Sequence, residues 1–149
     1  MYSKIVVGTD GSATANAAVR HAAGLAKATG ATLHIVHAFQ PVPAMASLGI
    51  DAGAAVLAAG SAEEAERQGR EVLERSKSLA SAEGATAEGH LEISDPASAL
   101  LDTAERLEAD LLVVGNKGMS GVKRFVLGSV PNKVSHHCPC SLLIVNTAS

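Results

Sequence analysis

The sequence predicts an α/β domain, an open five-stranded parallel sheet with helices on both faces, formed by residues 1–149 as one unit. Two patterns predict it. Short runs rich in Val, Ile and Leu, as expected of strands buried on both faces, alternate with segments of helical periodicity. The order is β-α-β-α-β-α-β-α-β, with no change of composition and no repeat along the chain. Strict alternation implies right-handed crossovers and helices on both faces of the sheet. A chain of 149 residues is long enough to bury one substantial core.

Lys4 to Gly8 reads as the first strand, through Ile5-Val6-Val7. Thr9-Asp10-Gly11-Ser12 is a turn, with Ser12 as N-cap of a helix. Ala15, Ala18, Val19, Ala22 and Ala26 recur at helical spacing, and Gly30 ends that helix. Thr32 to Ala38 is a second apolar strand. From Phe39 to about Gly60, Pro41, Pro43, Gly49 and Gly53 interrupt any period, so a long connection is expected, serving as a lid, a partner contact or a mobile segment. Ser61 to Glu83 is an amphipathic helix, with Ala65, Val72 and Leu79 inward and a charged exterior. Thr86 to Ile93 is a more polar strand, suited to a sheet edge. Ser94-Asp95-Pro96 starts a helix, proline falling in its first turn, and Leu100, Leu101, Ala104 and Leu107 supply its apolar stripe. Asp110 to Gly115 is the fourth strand, Gly128 to about His136 a short helix, and Ser141 to Asn146 the last strand.

Twelve Lys and Arg against 15 Asp and Glu give a net charge of −3, which argues against a dedicated nucleic-acid binder. With no Trp, one Tyr and two Phe there is no base-stacking platform either. No run approaches the length of a membrane span and the N-terminus lacks a signal-peptide pattern, so a cytoplasmic location without membrane contact is expected. His136-His137-Cys138-Pro139-Cys140 holds both cysteines and could offer four metal ligands. Zinc sites usually space their donors so that the chain wraps the ion, and Pro139 stiffens this bridge. The favoured reading is a helix end, a proline stop, and Cys140 as a small core residue.

Ligands of such sheets sit at the carboxyl ends of the strands, beside the point where strand order reverses. Three loops leave those ends: Gly8–Ser12, the segment after Ala38, and Gly115–Gly128. In the last, Gly115-Asn116-Lys117-Gly118 is followed nine residues later by Gly128-Ser129 at a helix start. Glycines at a strand exit allow positive φ and a close approach of backbone N–H groups to a ligand, and a helix N-terminus favours an anion. A phosphate cradle and a merely flexible loop both satisfy this spacing. The patterns G-x-x-x-x-G-K-[ST] and, after the first strand, G-x-G-x-x-G are absent, as is a G-x-S-x-G nucleophile turn.

Gly115-x2-Gly118-x9-Gly128-Ser129, together with Val6-Val7-Gly8-Thr9-Asp10-Gly11-Ser12, resembles the nucleotide-binding branch of the universal stress protein family over essentially the whole chain. The resemblance implies a Rossmann-like five-stranded sheet, ATP or another adenine nucleotide in the cleft, and a homodimer through the last strand. It assigns Gly8, Thr9 and Asp10 to the ribose and adenine side, and the backbone of Ala38 to the adenine. Val114, Gly115, Asn116 and Gly118 would line ribose and phosphates, and Gly128, Ser129 and Val130 would cradle phosphates. A carboxylate such as Asp10 suits ribose hydroxyls or a Mg²⁺ ion, whereas its alternative role is to bond its own turn.

One residue departs from the pattern. Where many relatives carry a polar residue after Gly-Ser-Val, this chain has Pro131, which has neither N–H nor hydroxyl. A lost bond to a charged group costs about 1.5–3 kcal/mol, so Pro131 is expected to shift preference from ATP towards AMP or cyclic AMP. The first functional reading is an adenine-nucleotide-binding stress or signalling protein, with ATP the leading ligand and AMP or cyclic AMP the others, acting through nucleotide-dependent conformation or partner binding. A slow Mg-dependent ATPase using Asp10 and a structural homodimer with a degenerate pocket are the alternatives. No motif residue stands out as a base for activating water, so no catalytic residue is assigned.

Overall fold

A computed structural model of the protein describes residues 1–40, 52–116 and 127–147. The elements run β1 (Lys4–Gly8), α1 (Ala13–Thr29), β2 (Thr32–Phe39), α2 (Ala52–Ala82), β3 (Thr86–Ile93), α3 (Pro96–Arg106), β4 (Leu111–Gly115), α4 (Ser129–His137) and β5 (Ser141–Val145). All strand pairs are parallel, in the order β3-β2-β1-β4-β5, with Ile5 opposite Leu33 on one side and Leu111 on the other. The order reverses at β1, and the carboxyl ends of β1 and β4 flank the resulting crevice.

Successive strand residues face opposite ways, and the two cores follow from that. Ile5, Val7, Leu33, Ile35 and Val113 face α1 and α2, whereas Val6, Val36, Leu112 and Val114 face α3 and α4. Helix α1 buries Ala18, Val19, Ala22, Ala23 and Ala26, small side chains that let its backbone lie close to the sheet. The Ser12 hydroxyl accepts from the Ala15 amide at 3.2 Å, and Gly30 closes the helix at φ 74°. Asp95 caps α3 by accepting from the Ser98 amide at 3.0 Å, with Pro96 in the first turn.

Two expectations need correction. Helix α2 begins at Ala52, nine residues before the expected start, so Gly53 and Gly60 lie within a helix and not in a long connection. Alanine-rich surroundings, with the best of helix formers, outweigh the two glycines. The rest of the expected loop, residues 41–51, lies outside the described residues. The inward line of α2 is also not Ala65, Val72 and Leu79 but Gly69, Leu73, Ser76 and Ala80, the former set being half-buried flanks. A Cβ on Gly69 would stand 2.7 Å from Leu91 Cδ1 and 2.9 Å from His37 Cδ2, so this helix needs a glycine to reach the sheet. Cys138 and Cys140 are half-buried against the α3–α4 core, as packing residues, and burial, then Cys138 beside it, pushes the Cys140 thiol up to about 12.

Candidate functional site

An open cleft of about 170 Å³ lies at the strand carboxyl ends. It brings together Gly8, Thr9, Asp10, Ala38, Val114, Gly115, Gly128, Ser129 and Val130. These are nine of the eleven residues expected from sequence. Gly118 lies outside the described residues. The cleft lining does not include Asn116.

The first wall is the turn after β1. The Thr9 amide donates to Val36 O at 2.9 Å, so β2 continues to hold the chain beyond the strand. Thr9 Oγ1 accepts from the Gly11 amide at 3.1 Å, and Thr9 O lies 2.9 Å from His37 Nδ1. Ser76 Oγ, from α2, approaches Thr9 Oγ1 at 3.4 Å. Gly11 sits at φ +81°, where a Cβ is strained and would also meet Val72 Cγ2 at 3.2 Å. Asp10 Oδ1 accepts from the Ser12 amide at 2.9 Å, so Asp10 closes its own turn while lining the cleft.

The opposite wall is the end of β4 and the start of α4. The Asn116 amide donates to Val145 O at 2.9 Å, and Asn116 O accepts from the Gly128 amide at 3.1 Å. Asn116 Oδ1 accepts from both the amide and hydroxyl of Thr147, each at 2.9 Å. Asn116 thus ties three segments together behind the cleft. Gly128 is the N-cap of α4 at φ −61° and ψ 168°, with no side-chain cap, and its carbonyl accepts from Asn132 N at 3.0 Å. Neither Gly115 nor Gly128 adopts positive φ, so the freedom that glycine allows at the strand exit is not used at Gly115. Their backbone is one that any residue adopts, so what glycine contributes here is the missing side chain. A Cβ on Gly128 would meet its nearest protein atoms at 3.6 Å, ordinary contact, and Gly128 itself lines the cleft.

The start of α4 presents the amides of Ser129 and Val130 at the positive end of a helix dipole. Its third residue, Pro131, also lines the cleft and has no amide to offer. Val36, Leu100 and Pro96 add an apolar floor and rim that the motifs had not indicated. Leu100 was visible only as part of the helix stripe, and its Cδ1 would stand 3.0 Å from a Cβ on Gly8. Ser12, Thr14 and Ala15 complete the lining from the first turn of α1. A flat apolar floor with polar groups at both ends suits a planar heterocycle carrying an anionic tail.

Comparison with known proteins agrees with this geometry. A model of the universal stress protein family matches residues 1–146. Universal stress protein YxiE of Bacillus subtilis is 35% identical over 147 residues, covering 97% of this chain and 99% of its own. A solved universal stress protein in complex with cAMP is 34% identical with a TM-score of 0.71, covering 99% of this chain and 98% of its own. The universal stress protein of Archaeoglobus fulgidus in complex with dAMP is 25% identical with a TM-score of 0.64, covering 96% and 97%.

Proposed function

Because the chain belongs to the universal stress protein family, we propose that its cleft binds an adenine nucleotide with few phosphates, AMP or cyclic AMP in preference to ATP, and signals through that occupancy. Adenine would lie on Val36, Ala38 and Leu100, with the ribose towards Asp10 and the phosphate at the start of α4. The observation that carries the preference is Pro131 as the third residue of α4. The Gly128 amide is taken by Asn116 O, which leaves the amides of Ser129 and Val130 and the Ser129 hydroxyl for phosphate oxygens. Relatives with cAMP and dAMP bound support the same ligand class.

Asp10 fits the part of a Mg²⁺ ligand in a triphosphate complex only in part. One carboxylate beside substrate phosphates is within the habit of Mg²⁺, but Oδ1 already accepts from Ser12. Nothing in the described cleft favours hydrolysis over binding. The homodimer belongs to the same proposal: β5 is an edge strand, and Leu142, Leu143 and Ile144 on it are half-buried.

Calorimetry with cyclic AMP, AMP and ATP, the last with and without Mg²⁺, tests the reading. Cyclic AMP and AMP should bind at least as tightly as ATP. Pro131→Ser, which restores an N–H and adds a hydroxyl, should tighten ATP by roughly ten- to a hundredfold. ATP binding far tighter than both monophosphates in the native protein would sink the preference. No binding of any adenine nucleotide would sink the function.

A further inference from the structure

Away from the cleft, β2 and β3 bring together three side chains that the nucleotide does not use. His34 pairs with Glu88 in register, and His90 lies two residues further along β3, opposite Val36. All three therefore project from the same face of the sheet. His34 Nδ1 is 3.0 Å from His90 Nε2 and 3.6 Å from Glu88 Oε2. One donor atom from each lies within 4.8 Å of the others, and no other three His, Cys, Asp or Glu side chains among the described residues converge in this way.

Those distances have a chemical meaning. Tetrahedral zinc with bonds of 2.0–2.1 Å holds its donors about 3.3 Å apart, and the two separations, the shorter being a hydrogen bond between the rings that a metal would replace, bracket that value. Two imidazoles and one carboxylate are a donor set that zinc and related ions accept, leaving a fourth position open to water. We propose that His34, Glu88 and His90 form a site for one divalent transition-metal ion, of the Zn²⁺ type, clamping the edge strand β3 to β2.

The surroundings suit the task. His34 is 6% exposed and fixed, while Glu88 is exposed and free to swing in as the closing ligand. Two cations whose charge reaches the histidines are already engaged: Arg106 donates to Glu92 Oε1 at 2.9 Å and Lys4 Nζ to Leu107 O at 2.9 Å. Ala38 in the cleft lies four residues along β2 from His34, about 13 Å at strand rise, so the two sites are separate but share a strand.

The test is Zn²⁺ titration of the metal-free protein, followed by calorimetry and by the visible spectrum of a Co²⁺ replacement. The native chain, Glu88→Gln, His90→Gln and the double variant His136→Gln/His137→Gln are compared. The native chain should take up one Zn²⁺, give a tetrahedral Co²⁺ spectrum, and melt at a higher temperature with metal than without. Glu88→Gln, an exposed change that leaves the core intact, should weaken uptake by roughly tenfold or more, and His90→Gln should weaken it further. The His136/His137 variant should bind as the native chain does. No uptake by the native chain, equal uptake by Glu88→Gln and His90→Gln, or loss confined to the His136/His137 variant would each overturn the proposal.

Discussion

Asp95 shows how much one exposed side chain can decide. Its carboxylate caps α3 through the Ser98 amide and faces Lys133 Nζ of α4 at 3.5 Å. The Ser98 amide, then the Ser98 side chain, with Lys133 adding less, hold the Asp95 carboxyl below the usual range. A depressed native pKa means stability that is present above the unfolded value of about 3.9 and lost as pH falls through the lower folded value. Asp95→Ala should therefore cost about 1 kcal/mol at neutral pH, a typical N-cap loss. Asp95→Asn should cost less and flatten the acid limb, as urea unfolding from pH 6 to 2 would show; an acid limb unchanged in both variants would refute it. At this scale the sequence was a good guide where the partner was local. Ser12, Asp95 and the Asp10 turn all bond residues two or three positions away. The His37 brace on Thr9 spans 28 residues and was not legible, because nothing in the sequence says which carbonyl a histidine will meet.

Elements were read well where hydrophobicity marked them and poorly where small residues did. Four strands stood out as apolar runs, and β3 as a more polar edge. The inward line of α2 did not, since Gly69 and Ser76 carry no apolar signal yet sit against the sheet. Gly69→Ala should gain about 1 kcal/mol in helix propensity but force Leu91 and His37 apart, a crowding worth about 1–3 kcal/mol. The net expectation is a lower melting temperature together with weaker nucleotide binding, since His37 holds the Thr9 turn. A more stable variant with native affinity would show that Leu91 and His37 yield freely. On α1, Ala22→Leu should destabilise by about 1–3 kcal/mol, because Ala22 is fully buried in the core between the helix and the sheet. Chemical denaturation reads this directly.

The whole molecule joins two chain ends around one crevice. Both walls are native-state constructions, so a ligand that binds only the folded chain should raise stability by about 2.7 kcal/mol at roughly a hundred times its Kd. Thermal melts with cyclic AMP should show that rise in the native protein and lose most of it in Gly128→Ala. This substitution makes only ordinary contacts within the protein, so its unliganded melt should fall only by the small cost of alanine at an N-cap. A full shift in the variant would place the phosphate elsewhere. The crevice was anticipated because strand alternation and the switch point follow from element order. Its apolar floor was not, since Leu100 reaches it only through the packing of α3 on β1. The strand order has one more consequence, in the time domain of synthesis. β1, β2 and β3 can pair once residue 93 has emerged, yet the other side of β1 stays open until Leu111–Gly115 arrives. The second wall needs Ser129–His137 as well, and Asn116 is held from the C-terminal side by Val145 and Thr147 in addition to Gly128. A nascent chain therefore completes the cleft almost as its last act, and a chain cut short before β5 lacks the bonds from Val145 and Thr147 that hold the second wall.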